Sequence, residues 1–359
     1  MRSKKTIVLL LLFTTSLLIM ANDAIIEIRA QKSLRTEFKI LVDEYHGAMI
    51  KADELYSLKI LNETLKDYSA ILRVLRLNER INYEDLYSID LLIIPPTNGS
   101  IAFSDDEKNA IKSYIKGGGS LLVLGVPYMG GFKEFNPTIL NDLFEYIFGF
   151  GQLGFFTKDM RADIVIDYTN DNGFLNLTKE NVKGENLESL LNGTIIVKSA
   201  SFERVSSDFE IIKTSSVAIR VDKDEGIYYN ESGFIVLAMK EIGKGKVVAT
   251  GFGQIFTGIK ASFEYNVSWV ELGDNKAFVI NLLKYLINLK KWEIGGNIIF
   301  PWLPETLPII LLAISATSLG LYPIAKRKDI QRRAKLEEKR KKVKISEILK
   351  KIREEEREK

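Results

Sequence analysis

The stretch DLLIIPPTNGSIAFSDDEKNAIKSYIKGGGSLLVLG, residues 90–125, decides the fold class of this chain. Its two apolar runs, residues 91–94 and 121–124, are short and uninterrupted, which is typical of strands buried on both faces. Between them, Ser104 and Glu107 have the spacing of a capping box and predict the start of a helix, which a run of three glycines ends. Strand, helix and strand in this order predict a βαβ unit in a parallel sheet covered by helices.

The residues on either side extend this unit to a doubly wound α/β layer. Residues 38–42 predict a first strand, residues 52–67 a helix and residues 68–75 a second strand. Residues 36–159 therefore form an α/β part with the order β-α-β-β-α-β, and one more helix is predicted at 138–148.

The next segment, residues 160–290, is predicted to be a β-rich continuation. Its short apolar runs are separated by Asn, Asp, Gly and Ser, which is the usual pattern of short strands and turns. Residues 234–250 predict a hairpin, and Asp274 is placed to cap a final helix that reaches residue 286.

The composition excludes several kinds of site and divides the chain by charge. The 359 residues are 46% hydrophobic and include no cysteine, so disulfides, thiolate nucleophiles and cysteine-ligated metals are excluded. Residues 326–359 carry 16 Lys and Arg against 8 Asp and Glu, a net of +8, and the other 325 residues carry 34 against 39, a net of −5. A single histidine with many Lys, Glu and Ile would also suit a thermophile.

Two apolar segments predict attachment to a membrane. Residues 1–21 have a basic start and a short apolar core, as in a signal peptide or an uncleaved signal anchor. Residues 303–325 predict a transmembrane helix, because residues 307–325, which follow Trp302 and Glu305, are an uncharged, mostly apolar run that ends at a basic cluster. Basic flanks stay in the cytoplasm, so we expect a cell-membrane protein with an extracellular body. It would cross the membrane once, or twice if the first segment is retained.

The basic tail, residues 326–359, is predicted to be cytoplasmic. It has the pattern of a charged helix that binds anionic lipid or, alternatively, a cytoplasmic partner. Nucleic-acid binding is disfavoured because the tail adjoins the predicted membrane segment and has no interleaved aromatic residues.

Sequons for N-glycosylation occur only in the body of the chain, which agrees with an extracellular location. None lies in the basic tail, although a chain rich in asparagine produces some sequons by chance. The six candidates are Asn62, Asn98, Asn176, Asn192, Asn230 and Asn266.

The loop after the first predicted strand is where ionisable residues cluster in the sequence. Asp43, Glu44 and His46 follow the carboxyl end of that strand, where α/β sheets place ligands. A histidine beside carboxylates could be a general base or half of a metal site. A structural hydrogen bond that anchors the loop is favoured, because the chain has no second histidine to complete a usual metal site. The glycine runs at 117–119 and 243–245 do not fit a phosphate loop, and we predict no metal and no cofactor.

Four segments carry a resemblance to a known family. They are ILVDEYHG at 40–47, the stretch from residue 87 to 125, GKGKVVATGFGQIF at 243–256 and GDNKAFVINLLKYL at 273–286. Together they resemble the GldG/ThuA-like group of class I glutamine amidotransferase-like domains, over roughly residues 36–290. Such domains occur in gliding-motility and ABC-transport accessory proteins, in an intraflagellar-transport protein and in a non-catalytic subunit of oligosaccharyltransferase. The resemblance implies a flavodoxin-like or amidotransferase-like doubly wound sheet with a β-rich second portion.

The chain departs from the enzymes of that superfamily at the nucleophile. Amidotransferases use a Cys-His-Glu triad whose cysteine would fall near residues 125–127, and here those residues are Gly-Val-Pro. The resemblance therefore implies binding or scaffolding beside a membrane complex rather than catalysis. The ligand cleft would lie at the carboxyl ends of the strands, near Asp43, Glu44, His46, Pro95, Pro96, Gly125 and Gly251.

Three hypotheses follow for the function. The leading one is a non-enzymatic, membrane-anchored extracellular domain that binds a glycan or a partner protein within a membrane complex. The second is an accessory subunit of an ABC-type transport system. The third is a hydrolase or metal-assisted enzyme that uses Asp43, Glu44 and His46.

Overall fold

A computed structural model describes residues 37–289 of the chain, apart from residues 69, 171 and 262–265. The predicted signal segment 1–21, transmembrane segment 303–325 and tail 326–359 lie outside these residues. Within the described ranges, no helix combines the length and the apolar character needed to span a bilayer.

The described residues alternate between helices and strands up to residue 148 and are mainly β-structure from there to α6. The strands are β1 (Glu37–Asp43), β2 (Ile71–Leu77), β3 (Leu91–Ile94), β4 (Ser120–Leu124), β5 (Leu153–Phe155), β6 (Ile164–Asp167), β7 (Leu175–Leu177), β8 (Val182–Lys183), β9 (Ile195–Val197), β10 (Phe202–Val205), β11 (Glu210–Lys213), β12 (Ala218–Val221), β13 (Ile227–Tyr229), β14 (Ile235–Ile242) and β15 (Gly245–Thr250). The α-helices are α1 (Tyr56–Leu65), α2 (Tyr83–Leu86), α3 (Asp105–Lys116), α4 (Thr138–Phe148), α5 (Glu185–Leu190) and α6 (Asn275–Leu286).

The central sheet has a parallel half and an antiparallel half. Its strand order is β2-β1-β3-β4-β15-β14-β10-β5, with β11 and β8 branching from β14. The first five strands in this order are parallel to their neighbours, and β14, β10 and β5 continue the sheet with antiparallel pairs. A parallel core with crossover helices is the arrangement of a doubly wound α/β fold, as the sequence predicts.

The βαβ unit that decides the fold class forms as its sequence predicts. All residues of β3 and β4 are buried, which explains why both runs are apolar without alternation. Ser104 caps α3 by accepting from the Glu107 amide, and the Glu107 carboxylate accepts from the Ser104 amide in return. Ala110, Ile111 and Ile115 form its buried stripe.

The first part of the chain differs from its prediction in the connection between β2 and β3. The structure places a short helix, α2, where the sequence pattern predicts two successive strands, and Asn82 and Asp85 cap its start reciprocally. The helix predicted at 52–67 is shorter, because it tightens into a 3-10 turn at Lys66–Tyr68 and the second strand begins at Ile71 instead of residue 68.

The β-rich continuation completes the parallel sheet. The predicted hairpin is present as β14 and β15, and β15 pairs in parallel with β4. The segment 160–290 thus shares one sheet with the segment before it. Asp274 precedes α6 as predicted, but its carboxylate accepts from the Thr194 amide instead of capping the helix. Two smaller sheets, β13-β12-β6 and β7-β9, lie outside the central one.

Parallel strands give the sheet two distinct edges. The carboxyl edge is the side where β1, β3, β4 and β15 end, and the amino edge is the side where they begin. The end of α6 lies at the amino edge, because the Leu286 carbonyl accepts from Ser120 Oγ at 2.7 Å and the Tyr285 carbonyl from Lys246 Nζ at 2.7 Å. Since β1 also begins there, at Glu37, the described chain enters and leaves at the amino edge.

Candidate functional site

The loop after β1 brings Asp43 and His46 together at the carboxyl edge. One carboxylate oxygen of Asp43 accepts from the amides of Tyr45 and His46, at 3.1 and 3.4 Å, and so shapes the turn. The other oxygen lies 2.7 Å from Nδ1 of His46 and orients the ring. Both side chains are 1% exposed.

The opposite side of the histidine ring faces Glu107, at the first turn of α3. Its Nε2 lies 3.1 Å from Glu107 Oε1, an ion-pair distance without the alignment of a hydrogen bond. The ring also stacks on Phe103, with centroids 3.9 Å apart and planes 27° apart. Asp43, His46 and Glu107 therefore form a buried Asp-His-Glu cluster that packing closes from solvent.

Hydrogen bonds hold Glu107 in place from several directions. Its carboxylate accepts from the hydroxyl and amide of Ser104 at 2.7 and 2.8 Å and from the Ile81 amide at 3.0 Å, and the Arg80 guanidinium lies 3.4 Å away. Burial raises the pKa of Glu107, but the hydrogen bonds from Ser104 and the charge of His46 outweigh it and hold this pKa below its ordinary value. The carboxylate thus stays ionised although it is buried.

Glu44 points away from this cluster. Its Oε1 accepts from the Ala52 amide at 2.7 Å and lies 4.0 Å from Nε of Arg76. The sequence grouped Glu44 with Asp43 and His46, whereas the structure brings Glu107 to the histidine instead. In the part of the chain that the structure describes, no three His, Asp or Glu side chains converge as metal ligands would.

Pro95 and Pro96 are buried where the loop after β3 meets the loop after β1. The Pro96 carbonyl accepts from the Met49 amide at 2.8 Å, and Ala48 and Thr97 form an isolated antiparallel bridge. The structure therefore brings these prolines beside the His46 loop, as part of the packing between two loops.

Gly125 and Gly251 are buried where β4 and β15 end. A Cβ at Gly125 would lie 2.7 Å from ring atoms of Phe155 and 3.0 Å from the Thr250 carbonyl oxygen, and a Cβ at Gly251 would lie 2.0 Å from the Ala200 carbonyl oxygen. Strand β5 and the loop before β10 occupy the space that an open cleft would need. This part of the carboxyl edge is packed.

The six sequons differ in exposure. Asn62 is half-buried, and its side chain accepts from the Leu72 amide; Asn230 is also half-buried, and its Nδ2 donates to the Gly233 carbonyl. The four exposed asparagines are Asn98, Asn176, Asn192 and Asn266.

A second candidate site, which sequence reasoning missed, is a surface pocket at the start of β14. We call it the Arg220 pocket, and its volume is about 330 Å³. The residues come from different strands of the β-rich continuation, so no local motif marks them. Its principal lining residues are Glu203, Lys213, Arg220, Tyr228, Tyr229 and Phe234.

Arg220 lies among aromatic rings and above a buried carboxylate. The carbon of its guanidinium is 3.9 Å from the centroid of Phe156 and 4.8 Å from that of Tyr228, which indicates cation–π stacking. Its Nε is 3.9 Å from Oδ2 of Asp163, too far for a hydrogen bond. Asp163 is completely buried and accepts from the amide and hydroxyl of Ser201. Burial raises the pKa of Asp163 to about 6, against the lowering effect of Ser201 and Arg220.

The fold and these sites define the described residues as a doubly wound α/β domain whose carboxyl edge is packed around His46, Gly125 and Gly251. No known family model matches the chain, and no curated protein matches it either. Several solved structures resemble the chain at low TM-scores.

Three of those structures show how far the likeness extends. The N-terminal domain of mmIFT52 gives a TM-score of 0.48 at 18% identity, covering 69% of this chain and 97% of that one. A cytoplasmic protein from Salmonella typhimurium gives a TM-score of 0.39 at 10% identity, covering 69% of this chain and 98% of that one. A ThuA-like protein from Bacteroides uniformis gives a TM-score of 0.38 at 11% identity, covering 71% of this chain and 93% of that one. At these low identities and TM-scores, the likeness assigns neither a family nor an activity to this chain.

Proposed function

We propose that this protein is a non-enzymatic, membrane-anchored extracellular domain of the glutamine amidotransferase-like type, which binds a glycan or a partner protein within a membrane complex. The GldG/ThuA-like sequence resemblance supports the choice of a membrane complex, and an ABC-type transporter is one complex of that kind. The predicted membrane segments and the sequons of the body support an extracellular location.

The observation that carries the non-enzymatic part is the packing around Gly125. This residue stands where a related enzyme would hold its nucleophile, and the ring of Phe155 fills the space of any side chain there. The histidine is sealed between Asp43, Glu107 and Phe103, so a substrate has no approach to it. Binding would then use the outer surface instead of a catalytic cleft.

Substitution of His46 tests the non-enzymatic part. We expect His46→Ala to lower the free energy of unfolding by about 3–5 kcal/mol, because it removes the ring that lies between two buried carboxylates and stacks on Phe103. Chemical denaturation of the purified full chain measures this loss, with Tyr87→Ala, an exposed residue, as the control. A His46→Ala protein of unchanged stability that has lost bound metal or a hydrolytic activity would contradict the proposal and favour the enzyme.

Protease treatment of intact cells tests the topology. A chain with an epitope at each end of the body and another on the tail should lose the body epitopes and keep the tail in the membrane fraction. A cut tail with an intact body, or a chain that alkaline carbonate washes from the membrane, would overturn the anchored extracellular arrangement.

A further inference from the structure

The three-stranded sheet β13-β12-β6 has one side on which every paired residue is apolar. Opposed residues of antiparallel strands share a side of the sheet, and so do alternate residues of one strand. The strand register therefore places two rows of three residues on this side, which we call the Ile219 face. The rows are Ile166, Ile219 and Tyr229, and Ile164, Val221 and Ile227.

The Ile219 face does not contribute to the hydrophobic core of the described residues. Val165 and Ala218, which alternate with its residues along β6 and β12, lie on the opposite side of the sheet and belong to that core. The six residues of the Ile219 face neither belong to the core nor pack against it. The side of an antiparallel sheet that does not cover a core is usually polar, so an apolar side here calls for a contact outside the described residues.

The Ile219 face is most open along β13, the last strand of this sheet. Ile227 is 54% exposed and Tyr229 is 74% exposed, whereas Ile219 in the middle of the face is 7% exposed. Single exposed apolar side chains are common, but neighbouring ones on one face mark a protein interaction site. Strand and residue spacings give the two rows an extent of roughly 10 Å by 7 Å, which suits one segment of a partner chain.

The loop that joins Val221 to Ile227 adds negative charge at one end of the Ile219 face. Four carboxylates and two lysines meet there, a net of −2, and each lysine lies 2.7–3.0 Å from two of the carboxylates. The acids are Asp159, Asp222, Asp224 and Glu225, and the bases are Lys158 and Lys223. Glu225 is exposed, and its carboxylate has no ion-pair partner among the described residues. This end of the face is therefore complementary to positive charge.

We propose that the Ile219 face docks a segment of a partner protein in which apolar side chains adjoin lysine or arginine. The two apolar rows bury the apolar side chains of the segment, and the acidic loop pairs with its basic flank. This inference deepens the proposed function, on which it rests, by naming the surface and the chemistry of the partner.

Other occupants fit the Ile219 face less well. A second copy of this chain would bring the same acidic loop, in which both lysines are already paired. A membrane surface of anionic lipid would be repelled by the net charge of the loop.

Binding of short synthetic peptides to the full chain, in nanodiscs of neutral lipid, tests the proposal. The main probe alternates valine and threonine between pairs of lysines. One matched probe replaces its lysines with glutamates, and another replaces its valines with serines. We expect only the lysine-flanked apolar peptide to bind, as measured by fluorescence anisotropy with empty nanodiscs as the background.

Substitution of Tyr229 tests the apolar part of the face. We expect Tyr229→Thr to weaken binding of the lysine-flanked peptide about tenfold, as loss of an aromatic anchor does. Threonine is favoured in strands, so β13 should persist in this variant, and circular dichroism checks it. Tyr87→Ala, which removes a tyrosine that is 83% exposed at the amino edge, should leave binding unchanged.

Reversal of one charge tests the acidic loop. We expect Glu225→Lys to weaken binding of the lysine-flanked peptide about threefold and to strengthen binding of the glutamate-flanked one. Both effects should fade at high salt, because the groups are exposed.

The proposal is wrong if the lysine-flanked peptide does not bind, if Tyr229→Thr binds it as well as the wild type, or if the glutamate-flanked peptide binds equally well. Self-association of the chain that is lost in Tyr229→Thr, measured by ultracentrifugation, would assign the face to a second copy and also overturn it. Each of these results would leave the anchored arrangement standing, because the protease experiment reports on it separately.

Discussion

At the scale of single residues, two buried carboxylates show how environment sets charge. Glu107 accepts hydrogen bonds from Ser104 and Ile81 and lies at ion-pair distance from His46; together these contacts hold its pKa low in spite of burial. Asp163 is more deeply buried with fewer compensating contacts, so its pKa rises to about 6. The two groups therefore affect stability in opposite senses and in different pH ranges.

Asp163 should make the fold less stable as pH rises from about 4 to about 6. Its pKa in the folded state is above the unfolded value of about 3.9, so the folded state holds the extra proton in this window. The free energy of unfolding should fall by up to about 1.4 kcal/mol per pH unit there, and Asp163→Asn should remove this slope. Urea titrations of the wild type and of Asp163→Asn at several pH values measure this slope. Equal slopes in the two proteins would show that Asp163 does not titrate in this pH range.

At the scale of elements, the start of α3 connects local helix formation to the buried cluster. The Ser104 hydroxyl donates to Glu107, the same carboxylate that faces His46. Another capping box, Ser268 with Glu271, has the same 2.7 Å bond, but this bond is exposed and the box begins only a three-residue 3-10 turn.

Ser104→Ala should therefore cost more than Ser268→Ala. We expect the first to lower the free energy of unfolding by about 1–2 kcal/mol, since it removes a cap and a donor to a buried carboxylate. The second should cost clearly less, because water replaces the lost bond. Thermal and urea unfolding of the two variants measure these losses of stability. Similar losses would mean that the burial of Glu107 adds nothing to the stability lost with the cap.

The elements that the sequence predicts well are those with strong local signals. Helix α3 has a capping box at its start and glycines at its end, and α4 has a clear apolar periodicity, so α3 has its predicted start and end and the bounds of α4 match. Helix α2 was missed because a helix of four residues has no periodicity to detect.

Long-range pairings are what the sequence could not supply. His46 and Glu107 meet although they are 61 positions apart in the sequence, and only the strand order, with β1 next to β3, brings them together. The Arg220 pocket depends in the same way on how β10, β12, β13 and β14 lie together. The glycine at position 125 is readable from the sequence, but the ring of Phe155 that packs against it is not.

At the scale of the whole molecule, the two edges of the sheet differ in their surroundings. The described chain enters and leaves at the amino edge, next to a pocket lined by the exposed Tyr83 and Tyr87. The exposed sequon Asn98 lies in the loop after β3, at the carboxyl edge, and Asn192 lies near the start of α6 on the same side. For an anchored protein, this distribution favours an amino edge nearer the membrane and glycans that point away from it.

Single-cysteine labelling tests this orientation, because the chain has no cysteine of its own. Tyr87→Cys places a fluorophore at the amino edge, and Ser100→Cys places one in the exposed loop after β3. In vesicles that contain nitroxide-headgroup lipid, we expect stronger quenching at position 87 than at position 100. Equal quenching, or stronger quenching at position 100, would contradict the orientation.

The central claim is that packing fills the space at Gly125, the position where the proposed resemblance to amidotransferase-like enzymes would put a nucleophile. A Cβ added at Gly125 would lie 2.7 Å from Cε1 and Cζ of the Phe155 ring, and Phe155→Leu removes both of these atoms. Gly131, where a Cβ would meet nothing within 4 Å, provides the matched control.

The most direct measurement is a double-mutant cycle of Gly125→Ser and Phe155→Leu, followed by chemical denaturation. We predict that Gly125→Ser lowers the free energy of unfolding by about 1–3 kcal/mol in the wild type, as overpacking does, and by clearly less in the Phe155→Leu background. Gly131→Ser should be close to neutral. Two results would contradict the claim: a Gly125→Ser protein as stable as the wild type, or effects of the two substitutions on the free energy of unfolding that simply add. Either would show that the Phe155 ring does not fill the space at Gly125.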